Sequence, residues 1–494
     1  MKRFNAYDFF IEEKNIRTGN GGTYMIVSEK ERITYDEFHI NVTEKYALFF
    51  SEISDCSRLG IMLSDSVFQQ ILYWGAIKNE ITPALFSVLE SQDSVIRTVK
   101  NAYMDILISD DEHRELLNEV SKECNICRAY IVDENGELKL IYYDGTKPKK
   151  ETEGKFILFS SGTTGISKGV IHNQQDMKYA AETYGRQILE LNNKDIMYSM
   201  AHLNYGFAFT NSTFQTFYGG ATAIIDRDTD IWTIAENIKK FKPTVLCGVP
   251  ALFEALAGIV EQSDIDLSSI RLALSSGEKM SERLWDIWYD NFNIPIIEGY
   301  GSVEMLTNVI SNRKNDYCKG SSGKLIEGFE AEFRKIAECD SDFTGVLNIK
   351  GRSISNCSIV SEEEQSDIYK TNDIFCVDKN GFFWYKGRID DVYKVNGVWF
   401  NPLSVEKFLE SIPYISHATV VNIDMDIIAC IIVNDPNAFS FDEAKKINYC
   451  LKHGKGQIIC PCRYILVDEL PRNSNGKKLR IKPNAKAIIK VIEV

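Results

Sequence analysis

Phe156-Ile-Leu-Phe-Ser-Ser-Gly-Thr-Thr-Gly-Ile-Ser-Lys-Gly-Val-Ile-His172 is the stretch on which the reading of this chain turns. It begins with an apolar, β-favouring run from Phe156 to Phe159. It then breaks into Ser160, Ser161, Gly162, Thr163, Thr164 and Gly165, and closes on Lys168-Gly169 before a second short apolar run. Glycines let backbone N–H groups approach an anion closely. Hydroxyls add donors, and a lysine adds a mobile positive charge suited to a polyphosphate. The pattern is not the Walker loop, which needs Gly-x4-Gly-Lys-Ser/Thr leading directly into a helix. Here Gly162 and Gly169 stand too far apart, and Val170-Ile171 continues as strand. A polar hairpin turn is the plain alternative to a phosphate loop.

A length of 494 residues exceeds what one core can organise, so roughly two to four domains are expected. The hydrophobic fraction of 44% and charged fraction of 26% are those of a soluble protein and set aside disorder and membrane classes. A formal charge of −14 argues against a nucleic-acid partner, which needs a basic face, while leaving room for a local basic patch. The first ten residues have no apolar core of signal-peptide length, and no apolar run reaches membrane-spanning length, so a cytoplasmic protein is expected. The 12 cysteines are scattered, which fits reduced thiols. Cys450, His453, Cys460 and Cys462 match no standard zinc spacing.

Along the chain, strands and helices alternate over the first 150 residues, which predicts a largely parallel sheet covered by helices. Thr34 caps a helix with Glu37 three residues on. A strand over Arg58–Leu63 leads through Ser64-Asp65-Ser66 into a helix from Val67 to Lys78. Residues 147–153 form a charged connector. Further strands end in glycine and polar residues at Pro243–Pro250, Leu272–Lys279 and Ile294–Met305. Such ends would gather at the carboxyl edge of a sheet, where open α/β sheets bind ligands. From Ser321 short strands predict a β-rich subdomain, with an acidic, solvated loop at 362–367, and a compact α+β domain follows.

Four more segments join the opening stretch: Tyr300-Gly-Ser-Val-Glu304, Tyr369-Lys-Thr-Asn-Asp373, Lys386-Gly-Arg-Ile-Asp-Asp-Val-Tyr-Lys-Val-Asn-Gly397 and Leu470-Pro-Arg-Asn-Ser-Asn-Gly-Lys477. In this order they resemble the motifs of the adenylate-forming superfamily, which includes acyl- and aryl-CoA synthetases, peptide-synthetase adenylation domains and luciferase. The resemblance covers nearly the whole chain. It implies an α/β fold: a large N-terminal domain of layered α/β subdomains plus a β-rich subdomain over 1–388, a hinge at 389–391, and a small mobile α+β domain over 392–494.

The resemblance also implies site roles. Ser161, Gly162, Thr163, Thr164, Gly165 and Lys168 would hold ATP phosphates. Glu304 would hold Mg²⁺, for which a carboxylate is a hard oxygen ligand. Tyr300 offers a flat face to adenine, with Gly277, Glu278 and Lys279 lining the same pocket and Glu298, Gly301 and Ser302 beside it. Asp373 suits a ribose diol, and Arg388 its oxygens. Lys477 would reach the substrate carboxylate and the α-phosphate, where positive charge stabilises the transition state. Asp390 matches the hinge residue, and Lys394 belongs to the segment that replaces Lys477 after rotation. Two departures stand out. Val303 replaces a threonine whose hydroxyl contacts the α-phosphate, and Asn372 replaces a glycine.

The middle of the chain is most similar to the benzoate-CoA ligase branch, on Tyr205-Gly206, Gly219–Ala223, Pro243–Pro250, Glu304–Leu306 and Lys394–Phe400. This implies an aromatic acid as substrate and a pocket that includes His202, Asn204, Tyr205, Gly206, Gly299, Gly301, Met305 and Thr307. Asn204 falls where alanine is expected and Thr307 where histidine is expected. An unpaired amide against a bare phenyl ring is costly, so a hydroxy- or aminobenzoate is expected. The alternative is that Asn204 bonds to backbone. ATP, Mg²⁺ and CoA are the implied cofactors. The phosphopantetheine of a carrier protein is the alternative acceptor, and a catalytically weak nucleotide-binding regulator is a third reading. Monomer and dimer stay open.

Overall fold

The computed structural model describes residues 3–146, 154–160, 168–263, 265–335, 344–355, 357, 368–395, 398–423, 426–453, 459–472 and 478–494, with backbone alone over 393–395 and 398–399. The connector 147–153 and the acidic loop 362–367 lie outside them. The chain divides into two compact units, Met1–Glu330 with Ile349–Tyr369, and Ala331–Asn348 with Lys370–Val494. No helix among the described residues is long and apolar enough to cross a membrane.

The first unit holds two sheets. In the larger, strands Tyr24–Val27, Thr222–Ile224, Ile196–Ser199, Val245–Gly248, Leu272–Ser275 and Ile296–Gly301 run parallel side by side, and antiparallel strands close both ends. The expected gathering of strand ends is present: Gly248 pairs with Ser275, and Ser275 with Glu298. The opposite edge is stapled. Asp195, Thr244 and Arg271 each precede one of three neighbouring strands. Asp195 accepts from Thr244 Oγ1 at 2.7 Å and from Arg271 Nε at 2.7 Å and Nη2 at 3.0 Å.

The second sheet has the order Leu138–Tyr143, Arg128–Val132, Ile106–Asp110, Arg58–Met62, Thr82–Leu85, Lys155–Ser160, Lys168–Asn173. The opening stretch of sequence is its last hairpin: Lys155–Ser160 pairs antiparallel with Lys168–Asn173, Phe156 opposite His172. The outermost strand is covered, because Ile171 N donates to Cys357 O at 2.9 Å and Ile171 O accepts from Ser355 Oγ at 2.5 Å.

Helix Val67–Lys78 is buried from Val67 to Ile77 apart from Phe68, so its apolar residues run nearly all round rather than in one stripe. Ser66 caps it by accepting from Gln69 N. Thr34 and Glu37 form a reciprocal capping box at the start of helix Tyr35–Ile40. The main core joins these helices to Leu59 and Ile61 of one sheet and Met25 and Ile26 of the other.

A sheet of order Phe329–Arg334, Thr344–Gly351, Ile368–Val377, Phe383–Arg388, most of whose residues fall in the second unit, fits the expected β-rich region. A separate sheet, Ile415–Ile423, Asp426–Val433, Arg463–Val467, Ile488–Glu493, packs its apolar face on helices Pro402–Glu410 and Phe441–His453.

Candidate active site

Strand Ile296–Gly301 carries the Tyr300–Glu304 segment to the carboxyl edge of its sheet, and strand Asn308–Ser311 returns beside it. Between them the backbone turns tightly, with Met305 N bonding Ser302 O, Leu306 N bonding Val303 O, and Leu306 at φ +63°. Three successive carbonyls of this turn are held from outside. His172 Nε2 lies 2.8 Å from Val303 O, Ser355 N donates to Glu304 O at 2.8 Å, and Ser353 Oγ donates to Met305 O at 3.0 Å. A carbonyl only accepts, so Nε2 of His172 carries a hydrogen.

The side chains of the turn are left unspent. Ser302 Oγ is buried and has no hydrogen-bond partner among the described residues. Glu304 is half-buried, and its carboxylate makes no hydrogen bond or ion pair with any described residue. This donor set fits a hard cation shared with phosphate oxygens, one protein carboxylate beside a hydroxyl. No group of three or more His, Cys, Asp or Glu side chains suited to a metal occurs among the described residues, so the remaining ligands would come from ATP and water.

Around the turn, Lys279 and Glu298 form an ion pair in which both side chains are largely buried. It ties the loop after Leu272–Ser275 to strand Ile296–Gly301. Ser276 Oγ bonds Gly299 O at 3.2 Å and Asn308 Oδ1 at 2.9 Å. Gly277 takes φ +90° and is exposed, and Glu278 is half-buried beside it. Gly301 lies so close to the returning strand that a Cβ there would stand 2.2 Å from Thr307 O.

The residues expected in an acid pocket lie on the loop after Ile196–Ser199, on the end of strand Ile296–Gly301 (Gly299 and Gly301) and on the stretch that follows it to Thr307. His202, Asn204, Tyr205 and Gly206 are half-buried. A Cβ on Gly206 would stand 3.1 Å from Val303 Cγ2, so the loop abuts the turn. Asn204 makes no hydrogen bond with a described residue, neither to backbone nor to side chain. Thr307 is buried at 7% exposure and Met305 has no exposed surface at all.

In the second unit, Asp373 and Arg388 are directly opposed on paired antiparallel strands. Arg388 Nη1 lies 3.6 Å from Asp373 Oδ1 and its Nη2 3.3 Å from Asp390 Oδ2. Burial works against the guanidinium charge, but the facing carboxylates hold its pKa above the ordinary value. Asn372 takes φ +58°, the left-handed region that glycine enters freely and asparagine better than other residues. Lys394 lies on strand Tyr393–Val395, opposite Trp399.

Lys168 opens strand Lys168–Asn173 and is exposed. Ser161, Gly162, Thr163, Thr164, Gly165 and Lys477 lie outside the described residues. Both flanks of the lysine segment are fastened: Leu479 N donates to Pro471 O at 2.8 Å, Arg472 pairs with Lys478, and Lys478 Nζ meets Glu410 at 2.8 Å. Arg480 bonds Glu406 through Nε at 3.1 Å and Nη2 at 2.8 Å, and pairs with Asp391.

No motif in the sequence marks a role for His172, Ser353, Ser355 or Arg480. His172 ends the opening stretch, yet its partner Val303 is 131 positions away, a pairing no local pattern reveals.

Comparison with known proteins follows the same lines. The benzoate–CoA ligase of Thauera aromatica is 26% identical over 97% of this chain and 96% of its own length. The anthranilate–CoA ligase of Pseudomonas aeruginosa is 30% identical over 66% of this chain and 65% of its own. The crystal structure of the anthranilate CoA ligase AuaEII in complex with anthranoyl-AMP superposes with a TM-score of 0.84 at 23% identity, covering 97% and 96% of the two chains, a likeness that carries the fold. The model of the AMP-binding enzyme family matches residues 13–357, and the chain belongs to that family.

Proposed function

We propose that this enzyme is an AMP-forming acid–thiol ligase that activates an aromatic carboxylic acid as its acyl-adenylate and passes the acyl group to CoA. The observation that carries the chemistry is the turn at 302–305, whose backbone is satisfied while Ser302 and Glu304 remain unspent. Relatives named as benzoate– and anthranilate–CoA ligases, one of them matched over nearly its whole length, support the substrate class. The amide of Asn204, half-buried and without a hydrogen-bond partner among the described residues, supports a hydroxy- or amino-substituted ring, which would give it one.

In the first step an oxygen of the acid's carboxylate attacks the α-phosphorus of ATP. The bond to the bridging β-phosphate oxygen breaks, and pyrophosphate leaves. Mg²⁺ held at Glu304 would offset phosphate charge. Ser302 donates to phosphate, and the glycine loop 161–165 with Lys168 cradles the β- and γ-phosphates. Tyr300 and the backbone of Gly277, Glu278 and Lys279 line the adenine pocket, braced by the Lys279–Glu298 pair. Asp373 and Arg388 hold the ribose, and Lys477 orients the carboxylate and stabilises charge at the α-phosphate. In the second step the CoA thiol attacks the acyl carbon, AMP leaves and the thiol proton passes to solvent. Rotation at 389–391, with Asp390 as hinge, exchanges Lys477 for the Lys394 segment between the steps.

The test is acid-dependent ATP–pyrophosphate exchange over a panel of benzoates, followed by CoA addition and mass spectrometry of the thioester. Exchange with a substituted benzoate and a CoA thioester is the expected result. Unsubstituted benzoate as the best acid overturns the role of Asn204, and exchange without thioester moves the acceptor to a carrier protein.

A further inference from the structure

His202 follows strand Ile196–Ser199, and both of its ring nitrogens are engaged. Nδ1 lies 3.3 Å from Asp65 Oδ2, and Nε2 lies 2.9 Å from Thr229 Oγ1. The carboxylate only accepts, so Nδ1 carries a hydrogen, and Nε2 bonds the Thr229 hydroxyl, which can both donate and accept.

Asp65 is buried at 7% exposure and accepts from three donors. The oxygen that meets His202 also accepts from Leu203 N at 2.9 Å. The other accepts from Gln69 Nε2 at 3.2 Å. Gln69 Nε2 also donates to Leu63 O at 2.9 Å, and Gln69 Oε1 accepts from the buried Gln70 at 3.1 Å. Burying a carboxylate is costly unless hydrogen bonds replace its lost hydration. Asp65 follows strand Arg58–Met62 of one sheet, whereas His202 follows a strand of the other. One buried carboxylate therefore fastens the carboxyl edges of the two sheets together at the loop that carries His202, Asn204 and Tyr205.

We propose that Asp65 and Thr229 clamp His202 as a fixed, flat wall of the acid pocket, and that this clamp sets which aryl acids the enzyme accepts. The inference rests on the aryl-acid reading above. With both nitrogens spent within the protein, His202 offers a ring face and C–H edges to the substrate but no hydrogen bond. Polar discrimination then falls to Asn204, whose amide is unspent, while His202 enforces planarity. Asp65 and Thr229 act through His202 and are positioning residues.

Thr229 is half-buried on a loop, so Thr229→Val removes one hydroxyl at nearly constant shape. Thr229→Val, Thr229→Ser and Asp65→Asn are compared with the wild type by pyrophosphate exchange, varying ATP and each of benzoate, 2-aminobenzoate and the three hydroxybenzoates. Thr229→Val is expected to raise the acid KM about fivefold or more and to flatten discrimination among the acids, with the ATP KM within about twofold. Thr229→Ser restores wild-type behaviour, and Asp65→Asn moves in the same direction as Thr229→Val. Acid KM and ranking unchanged in Thr229→Val overturn the clamp alone. Equal rises in the acid and ATP KM also overturn it, since a general loosening would do that. Absence of acid-dependent exchange in the wild type overturns both the aryl-acid reading and the clamp.

Discussion

At position 303 a valine stands where the family motif has threonine, and its surroundings define what the exchange does. Its carbonyl is held by His172, and its side chain faces Gly206, so the backbone is placed correctly while one hydroxyl is missing. Val303→Thr is expected to raise the turnover of pyrophosphate exchange, with a ceiling of about 100-fold set by the roughly 3 kcal/mol that such a donor can supply. Unchanged turnover in Val303→Thr, together with a large loss in Ser302→Ala, would mean that Ser302 already fills the role. Position 372 has the opposite character. Its φ of +58° explains why asparagine can replace glycine there, and the residue type follows the backbone. Asn372→Gly should shift stability by less than about 0.5 kcal/mol, whereas Asn372→Ala should cost about 1 kcal/mol, read by thermal unfolding. The sequence made both departures visible; only the fold shows that one changes a side chain on an anchored turn and the other answers a left-handed backbone.

Secondary-structure elements were the most legible part of the sequence, where local chemistry decides. The Thr34–Glu37 capping box and the Ser66 cap stand where their spacing places them. Strand ends rich in glycine gather at one sheet edge, as expected for parallel strands. Contacts that join distant elements left no such trace. The staple of Asp195, Thr244 and Arg271 is one, because nothing local marks three residues that meet only after the strands align. Burial would raise the Asp195 pKa, but the bonds from Arg271, Thr244 and Asn192 outweigh it and hold it below the ordinary carboxylate value. A depressed carboxylate contributes stability above its unfolded pKa, near 4, and loses it as pH falls through the folded value. Asp195→Ala should therefore cost about 3 kcal/mol at pH 7, and its deficit should narrow below about pH 4, measured as melting temperature against pH.

At the scale of the whole chain, the residues proposed for the reaction fall in both units, with Glu304, Ser302 and the loop of His202 and Asn204 in one, and Asp373, Arg388, Lys394 and the flanks of Lys477 in the other. Motif order could be read along the chain, but the fastening of the lysine segment could not, since Glu406, Glu410 and Asp391 belong to other elements. Arg480→Gln should loosen that segment. The expected outcome is an exchange rate about tenfold lower, with transfer from supplied acyl-adenylate to CoA within about twofold, because only the first step is assigned to Lys477. Equal losses in both half-reactions would argue against it. The hairpin that carries the glycine loop has a consequence of another kind. Strand Lys168–Asn173 is the outermost of its sheet, and Gly169-Val-Ile171 is the sort of edge on which a second chain can add a strand. Ser355 and Cys357 occupy that edge in the finished molecule. They are made about 180 residues later, so during synthesis the nascent hairpin waits uncovered for its own chain to arrive, and this is the interval in which a chaperone or a neighbouring nascent chain competes for it.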